Sequence, residues 1–488
     1  MTASGGVRGS AQATADEYFR EWGRGEVDAM ALLVYRPPAD FVSLHRELSE
    51  KLDVRSIQLS PGALRMVGDV AAEVPFTGVR KLREFGDWPF GSTLRLAVRD
   101  RVWKVLWTPE TLHPLLADGG RLEVEEFEGP ATELVTSEGD KVPDNSYADS
   151  YLNQIKSQVS TVRDGWALVA SAPGKPARRV LTAQPRADAK KTTLSRPVQA
   201  AAARALDGVD DAAILAVRPS TGEILAVADK LKGRYSALFD RFPPGSTFKT
   251  VTAAALLISG LDPGTMMECP GTYTIPEHRT FKNAGEAAHG QVSFADAFAY
   301  SCNTSFVEQA VGRITAADLI AAASGLGFDK GMPTGAGGAV CGHLDNTDDP
   351  DMLGQDAIGQ GTVEASPICL AVMAAAIESG TWRSARLLPV KDVERIDGVA
   401  PPPVTLNEGL VTSLRTLMTA VVDHGTGSGA GLPPGTAGKT GTAETPAGGE
   451  HAWFMGYRGD LAFCVFVRNG GAGRTTALPL AVRFLTGL

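Results

Sequence analysis

Pro243-Pro244-Gly245-Ser246-Thr247-Phe248-Lys249 runs directly into Thr250-Val251-Thr252-Ala253-Ala254-Ala255-Leu256-Leu257-Ile258. The two prolines and Gly245 cannot be helix interior, whereas the Ala/Leu-rich run that follows stops at Gly260. The pattern therefore predicts Ser246 at or near a helix N-terminus. Lys249 lies one helical turn further along the same face, so its ammonium can reach the Ser246 hydroxyl, giving a nucleophile and a candidate base. A helix N-terminus adds unpaired N–H groups and a positive dipole end. Both lower a lysine pKa and favour negative charge developing on a bound carbonyl. Taken alone, the same residues also describe an N-capped core helix with a surface lysine.

Two further short patterns follow in order: Ser301-Cys302-Asn303 and Lys439-Thr440-Gly441. Each is weak singly, but SxxK, SxN and KTG in this order form the set found in penicillin-binding proteins and class A β-lactamases, which this chain resembles. The resemblance extends to Thr221-Gly222-Glu223-Ile224-Leu225-Ala226, Ile358-Gly359-Gln360-Gly361, Gly441-Thr442-Ala443-Glu444 and Trp453-Phe454-Met455-Gly456-Tyr457, and covers about Thr192 to Leu488. The segment from Asp16 to about Val124, with Trp107-Thr108-Pro109 and His113-Pro114-Leu115, resembles the nuclear-transport-factor-like N-terminal domain of some class B penicillin-binding proteins.

The resemblance implies an α+β multidomain chain. An α+β cone-like domain (13–129) and a small linker or pedestal module (130–191) would precede a transpeptidase domain of antiparallel sheet flanked by helices (192–488). It also implies a D,D-transpeptidase that cross-links peptidoglycan through a serine acyl-enzyme at D-Ala-D-Ala and is trapped covalently by β-lactams. Ser246 would attack, and Lys249, kept neutral by burial and by the positive Lys439, would be the acylation base. Ser301 would relay a proton to the leaving amine, and Asn303 would hold the substrate amide and orient Lys249. Lys439, Thr440 and Thr442, around Gly441 on an edge strand, would bind the substrate carboxylate, with the N–H groups of Ser246 and Thr442 holding the oxyanion. The partners implied are stem peptides, β-lactams and cell-wall synthesis or division proteins, and the implied place is the outer face of the cytoplasmic membrane. No cofactor and no metal are implied.

Composition agrees with this class and excludes others. The chain has 488 residues, 43% hydrophobic and 21% charged, with ample apolar material for real cores. A net charge of -9 argues against a nucleic-acid partner. No run of eighteen or so apolar residues suggests a membrane span, and the opening Met1-Thr2-Ala3-Ser4-Gly5-Gly6 is not a signal peptide. Any native anchor is therefore expected to lie outside this sequence. The five cysteines, Cys269, Cys302, Cys341, Cys369 and Cys464, include no CxxC, and their odd number leaves at least one free thiol. The seven histidines form no HExxH, and Asp345–Asp351 has proline where a calcium loop needs glycine, so it is expected as a solvated loop.

Along the chain, Asp16–Leu33 is expected as one amphipathic helix burying Tyr18, Phe19, Trp22, Met30 and Leu33, with a second helix over Phe41–Leu52. Strands are expected at Val70–Phe76, Leu94–Val98 and Trp103–Trp107, with Asp100-Arg101 as a turn. The polar, broken stretch after Pro130 carries a helix at Tyr147–Val159 and a strand at Trp166–Val169. A helix at Ser195–Leu206 then leads into the hairpin Ala213–Val217 and Ile224–Val227. Helix is expected again from Phe294 to Tyr300, broken at Ser301-Cys302-Asn303 and resumed at Thr304–Gly312, with strands His451–Tyr457 and Leu461–Val467 near the end. The glycine-rich Gly425–Gly429 lacks the third dinucleotide-loop glycine and opens no helix, which argues against phosphate binding.

Four features depart from the family pattern or separate it from its rivals. The length leaves no room for a glycosyltransferase domain, and the linker lacks the arginine-glycine opening common in class B pedestals. Cys302 inside SxN is either structural or paired, Cys269 being one candidate. No glutamate followed by Leu-Asn stands between the second and third motifs, which disfavours a β-lactamase. A D,D-carboxypeptidase, and a β-lactam-binding sensor or scaffold without turnover, remain the alternatives.

Overall fold

Gly25 takes φ 79° and closes the first helix with its N–H bonded to Glu21 and Trp22 carbonyls. The expected single helix is therefore two, α1 (Ala11–Arg24) and α2 (Val27–Leu33), because a left-handed glycine cap cannot be helix interior. Tyr18, Phe19, Trp22 and Met30 are buried as expected, while Leu33 is only half-buried. The computed structural model describes residues 7–129, 132–159, 162–187, 189–234, 236–445 and 447–488. The leader at 1–6 and the expected boundary residue Pro130 lie outside them.

The chain divides into two units, Met1–Ala131 with Thr161–Asp188, and Thr132–Ser160 with Ala189–Leu488. In the first, α1, α2 and α3 (Phe41–Lys51) pack on an antiparallel sheet of β1 (Val54–Pro61), β2 (Ala71–Leu82), β3 (Gly86–Arg99) and β4 (Val102–Val105). Asp100 and Arg101 make the expected turn between β3 and β4 with φ of 50° and 68°. A second sheet orders β5 (Arg121–Phe127), β6 (Gly165–Ala172) and β7 (Lys175–Ala183) as β7-β6-β5. The 130–191 stretch is thus shared. Its helix α4 (Asp149–Val159) belongs to the second unit, and its β6–β7 hairpin pairs with β5 in the first.

The second unit is built on a five-stranded antiparallel sheet ordered β9-β8-β12-β11-β10, from β8 (Ala212–Val217), β9 (Ile224–Asp229), β10 (Ala437–Glu444), β11 (Glu450–Tyr457) and β12 (Ala462–Val467). β8 and β12 are buried at every position, so both faces of the sheet are covered. α5 (Arg196–Ala205) and α12 (Ala477–Thr486) cover one face. On the other lies the apolar α10 (Pro367–Ser379), buried from Pro367 through Ile377, within the larger core that also takes α6 (Lys249–Ile258) and α11 (Glu408–Asp423). β10 is one edge of the sheet, as expected for the strand carrying Lys439-Thr440-Gly441.

The cysteines pair as Cys269–Cys302 and Cys341–Cys369, leaving Cys464 buried and free. The acidic loop is shorter than expected. Pro350 opens helix α9 (Pro350–Asp356), and the Asp349 carboxylate caps it through the Asp351 N–H.

Candidate active site

Gly245 to Phe248 form a single 3-10 turn that feeds α6, so Ser246 and Lys249 are stacked almost directly, as i and i+3 are in that geometry. The expected helix N-terminus is present. Lys249 is wholly buried, however, not a surface lysine.

Four oxygens surround its Nζ: Ser246 Oγ at 3.2 Å, Ser301 O at 2.7 Å, Ser301 Oγ at 3.3 Å and Asn303 Oδ1 at 2.6 Å. Asn303 Nδ2 donates to Lys282 O at 2.8 Å, which fixes Oδ1 toward the lysine. Ser301 adopts φ 60°, a left-handed conformation costly for a residue with a Cβ. That turn sits between helices α7 (Phe294–Ala299) and α8 (Asn303–Arg313) and turns both the carbonyl and the hydroxyl of Ser301 to the lysine. Cys302 ties the turn to Cys269.

The third motif is held against the first by backbone contact. A Cβ on Gly245 would come within 2.2 Å of Thr442 O, and one on Gly441 within 2.8 Å of Pro244 O. Glycine is required on both sides of this seam. Trp453 Nε1 donates across it to Pro243 O at 3.0 Å. Lys439, fully buried, places Nζ 5.5 Å from the Phe298 ring and donates to Thr440 O at 3.1 Å. Lys249 Nζ lies 5.6 Å from Phe306, whose ring is 6.1 Å from that of Phe298. The two ammonium groups therefore flank one aromatic pair.

Burial holds the Lys249 pKa well below the ordinary lysine value, and the Lys439 charge adds to it. Burial alone brings Lys439 down to about 7. A neutral amine has two N–H groups and one lone pair. Ser301 O and Asn303 Oδ1 are pure acceptors and take both N–H groups, so the lone pair is left facing the hydroxyls of Ser246 and Ser301.

All three sequence motifs are thus brought together: Ser246, Lys249, Ser301 and Asn303 share hydrogen bonds, and β10 carries Lys439, Thr440, Gly441 and Thr442 alongside them. Thr442 Oγ1 accepts from Gly473 N at 3.0 Å. Sequence reasoning missed a further wall. Thr426 Oγ1 lies 2.7 Å from Thr440 Oγ1, Thr426 N donates to Ala299 O at 3.0 Å, and His424 Nε2 is 2.8 Å from Asp296 Oδ1. This is the glycine-rich loop considered above for phosphate. Gly425 serves close packing, since a Cβ there would meet Ala299 O at 2.4 Å. Gly359 likewise abuts Gly245, accepting its N–H at 2.9 Å.

Residues 212–484, more than half of the chain, match the penicillin binding protein transpeptidase domain. The chain belongs to this family. Residues 10–120 match the NTF2-like N-terminal transpeptidase domain. The chain is 30% identical over 344 residues to the peptidoglycan D,D-transpeptidase PbpA of Mycolicibacterium smegmatis, an alignment covering 59% of this chain and 68% of the relative. It is 28% identical over 345 residues to PbpA of Mycobacterium tuberculosis, with the same coverage. Among solved structures, penicillin-binding protein A from M. tuberculosis as an imipenem acyl-enzyme complex aligns with TM-score 0.53 and 25% identity, over 62% of this chain and 80% of that one. Pseudomonas aeruginosa PBP2 shares the fold, with TM-score 0.58 and 21% identity over 75% and 96% of the two chains.

Proposed function

We propose that this chain is a serine-type peptidoglycan D,D-transpeptidase, trapped by β-lactams as a covalent acyl-enzyme, with Ser246 as nucleophile. The observation that carries the assignment is the buried Lys249, whose two amine protons are committed to Ser301 O and Asn303 Oδ1. Its remaining lone pair is free to take the Ser246 proton as Oγ attacks the penultimate D-Ala carbonyl. The backbone N–H groups of Ser246 and Thr442 flank the seam where the oxyanion forms. Ser301 Oγ, within reach of the same Nζ, passes the proton to the departing D-Ala amine, and Asn303 keeps Lys249 in place. Lys439, Thr440 and Thr442 take the terminal carboxylate on the edge strand, where an added peptide can also pair with the backbone of β10. An acceptor amine then resolves the ester and completes the cross-link.

The two disulfides support function in an oxidising compartment, outside the cytosol. No helix among the described residues is long and apolar enough to cross a membrane. The test is incubation with a D-Ala-D-Ala stem pentapeptide and a competing amine acceptor. A transpeptidase yields dimer together with free D-Ala. Release of D-Ala with hydrolysed monomer alone would make the chain a carboxypeptidase.

A further inference from the structure

The stretch that follows α9 braces the serine turn. Gly359 O accepts the Gly245 N–H at 2.9 Å, and a Cβ on Gly359 would collide with Gly245 O and with the Phe248 side chain. Thr252 Oγ1, on α6, donates to Ala357 O at 2.7 Å, and Phe242 and Ala365 exchange both backbone hydrogen bonds, at 3.0 and 2.9 Å. Residues 357–365 therefore contact the nucleophile segment on both sides of Ser246.

A buried carboxylate closes this stretch into a turn. Asp356, the last residue of α9, is 1% exposed and pairs with no cation among the described residues. Its Oδ1 accepts the Thr362 N–H at 2.7 Å and the Thr362 hydroxyl at 3.1 Å, and its Oδ2 lies 3.2 Å from the same hydroxyl. Thr362 Oγ1 accepts in turn from Asp345 N at 3.0 Å. A Cβ on Gly361 would run into Asp356 Oδ1, so a glycine there lets the chain fold over the carboxylate. Burying a carboxylate without a cation is costly, and a neutral side chain could accept the same N–H. What the charge adds is bond strength, since hydrogen bonds to an ionised acceptor are about twice as strong as neutral ones.

Burial pushes the Asp356 carboxyl up to about 6; the Thr362 N–H and hydroxyl oppose the rise, and Asp345 adds to it. The other charged groups around the turn are engaged elsewhere. Asp345 and Asp329 bracket His343 at 3.0 and 2.6 Å and hold its pKa up. Glu364 lies 3.9 Å from Arg241, and Asp351 on α9 accepts the Arg279 N–H at 2.9 Å. On α8, which packs against α9, Arg313 donates to Gln309 and Glu308 acts on Tyr273.

We propose that Asp356 is a positioning residue for acylation: ionised, it pins the 357–362 turn through Thr362, so that Gly359 holds Gly245 and keeps the Ser246 hydroxyl in register with Lys249. Protonated, the carboxyl loses its charge-assisted bonds and the turn loosens against the serine segment. The inference rests on the reading of Ser246 as nucleophile.

The test is the rate of penicillin acylation of the full chain and of Asp356→Asn at pH 5 and pH 8. The amide matches the carboxyl in shape and still accepts the Thr362 N–H, but it cannot ionise. Asp356→Asn should acylate about tenfold more slowly than wild type at pH 8 and within about twofold of it at pH 5, where the wild-type carboxyl is itself protonated. Lys249 owes its lowered pKa to burial and Lys439, so its ionisation acts on both proteins alike and cancels in the ratio. A ratio that is the same at the two pH values overturns the proposal, because a merely structural side chain would cost the same throughout. Should Asp356→Asn not fold, Thr362→Val keeps the N–H and removes the hydroxyl that holds the Asp356 pKa down. The step in the acylation profile near pH 6 should then move to higher pH, and a step that stays put overturns the proposal equally. A wild-type chain that takes up no penicillin sinks the Ser246 reading itself, whereas a wild type that acylates with a pH-independent ratio to Asp356→Asn sinks this inference alone.

Discussion

Asn303 Oδ1 stands 2.6 Å from Lys249 Nζ, the shortest contact the lysine makes, and the Asn303 amide is itself anchored on Lys282 O. The second motif therefore orients the lysine of the first. Lys249→Arg keeps a positive charge but cannot surrender a proton near neutrality, so acylation by penicillin should fall by about 10² or more with the fold retained. Near-normal acylation of a folded Lys249→Arg protein would mean that a neutral lysine is not required.

Protonated Lys249 has no lone pair, so the acylation rate should rise with pH through an ionisation well below that of free lysine. Removing the neighbouring charge in Lys439→Met eases protonation of Lys249 and should carry that rising limb toward higher pH. Burial, the larger cause, remains, so the move should be partial. A limb that stays put, measured from pH–rate profiles, would remove Lys439 as an electrostatic partner. Stability follows the same sign. Lys439 falls to about 7 in the fold, below its unfolded value. The unfolded chain therefore binds more protons between the two, and this group makes stability rise with pH across that window.

Cys302 connects the left-handed Ser301 turn to Cys269 across a sequence separation of 33 residues. Closing a loop of that length contributes about 3 to 4 kcal/mol by the chain-entropy estimate. Replacing both cysteines by alanine should lower the denaturation midpoint accordingly. Releasing Ser301 from its strained conformation should also slow acylation by about tenfold. Unchanged acylation in the double variant would show that the helices on either side hold Ser301 without the bridge.

Gly245→Ala should be costly for two reasons: φ is 53° there, and the new methyl would meet Thr442 O at 2.2 Å. The expected loss is about 2 to 4 kcal/mol, with acylation falling further as β10 is pushed from the serine turn. Gly233→Ala is the control, with φ 79° but open space around it, and should cost only about 1 kcal/mol. Equal losses from urea titrations of the two would show that the seam tolerates the methyl.

The contact between Ser246 and Lys249 was legible in the sequence because SxxK is local. Pro243-Pro244-Gly245 can only precede a helix, and a lysine three residues on must share the serine's side. β8, β9, β11 and β12 were equally plain from their apolar runs, whereas β1 and β5 were not expected and β10 was placed only by resemblance. What stayed hidden depends on long-range packing. Thr426 reaches Thr440 only through folding, and Gly359 meets Gly245 across more than a hundred residues. β7 was missed because Lys175–Ala183 is largely exposed and polar, its pairing with β6 supplying what its own pattern lacks. The 130–191 stretch divides by its long-range contacts, α4 going to one unit and the β6–β7 hairpin to the other. A fragment starting at Pro130 would carry β6 without the β5 strand it pairs with.

The central claim is that Ser246 is the nucleophile of a covalent, slowly resolved acyl-enzyme, and intact-mass analysis after penicillin exposure tests it most directly. The wild-type chain should gain the mass of one penicillin and keep it for long compared with the time of acylation, because no deacylating carboxylate stands among the motif residues. Ser246→Ala should gain nothing. An adduct that survives the alanine substitution, or a wild-type adduct that vanishes within seconds to leave free enzyme, would contradict the account.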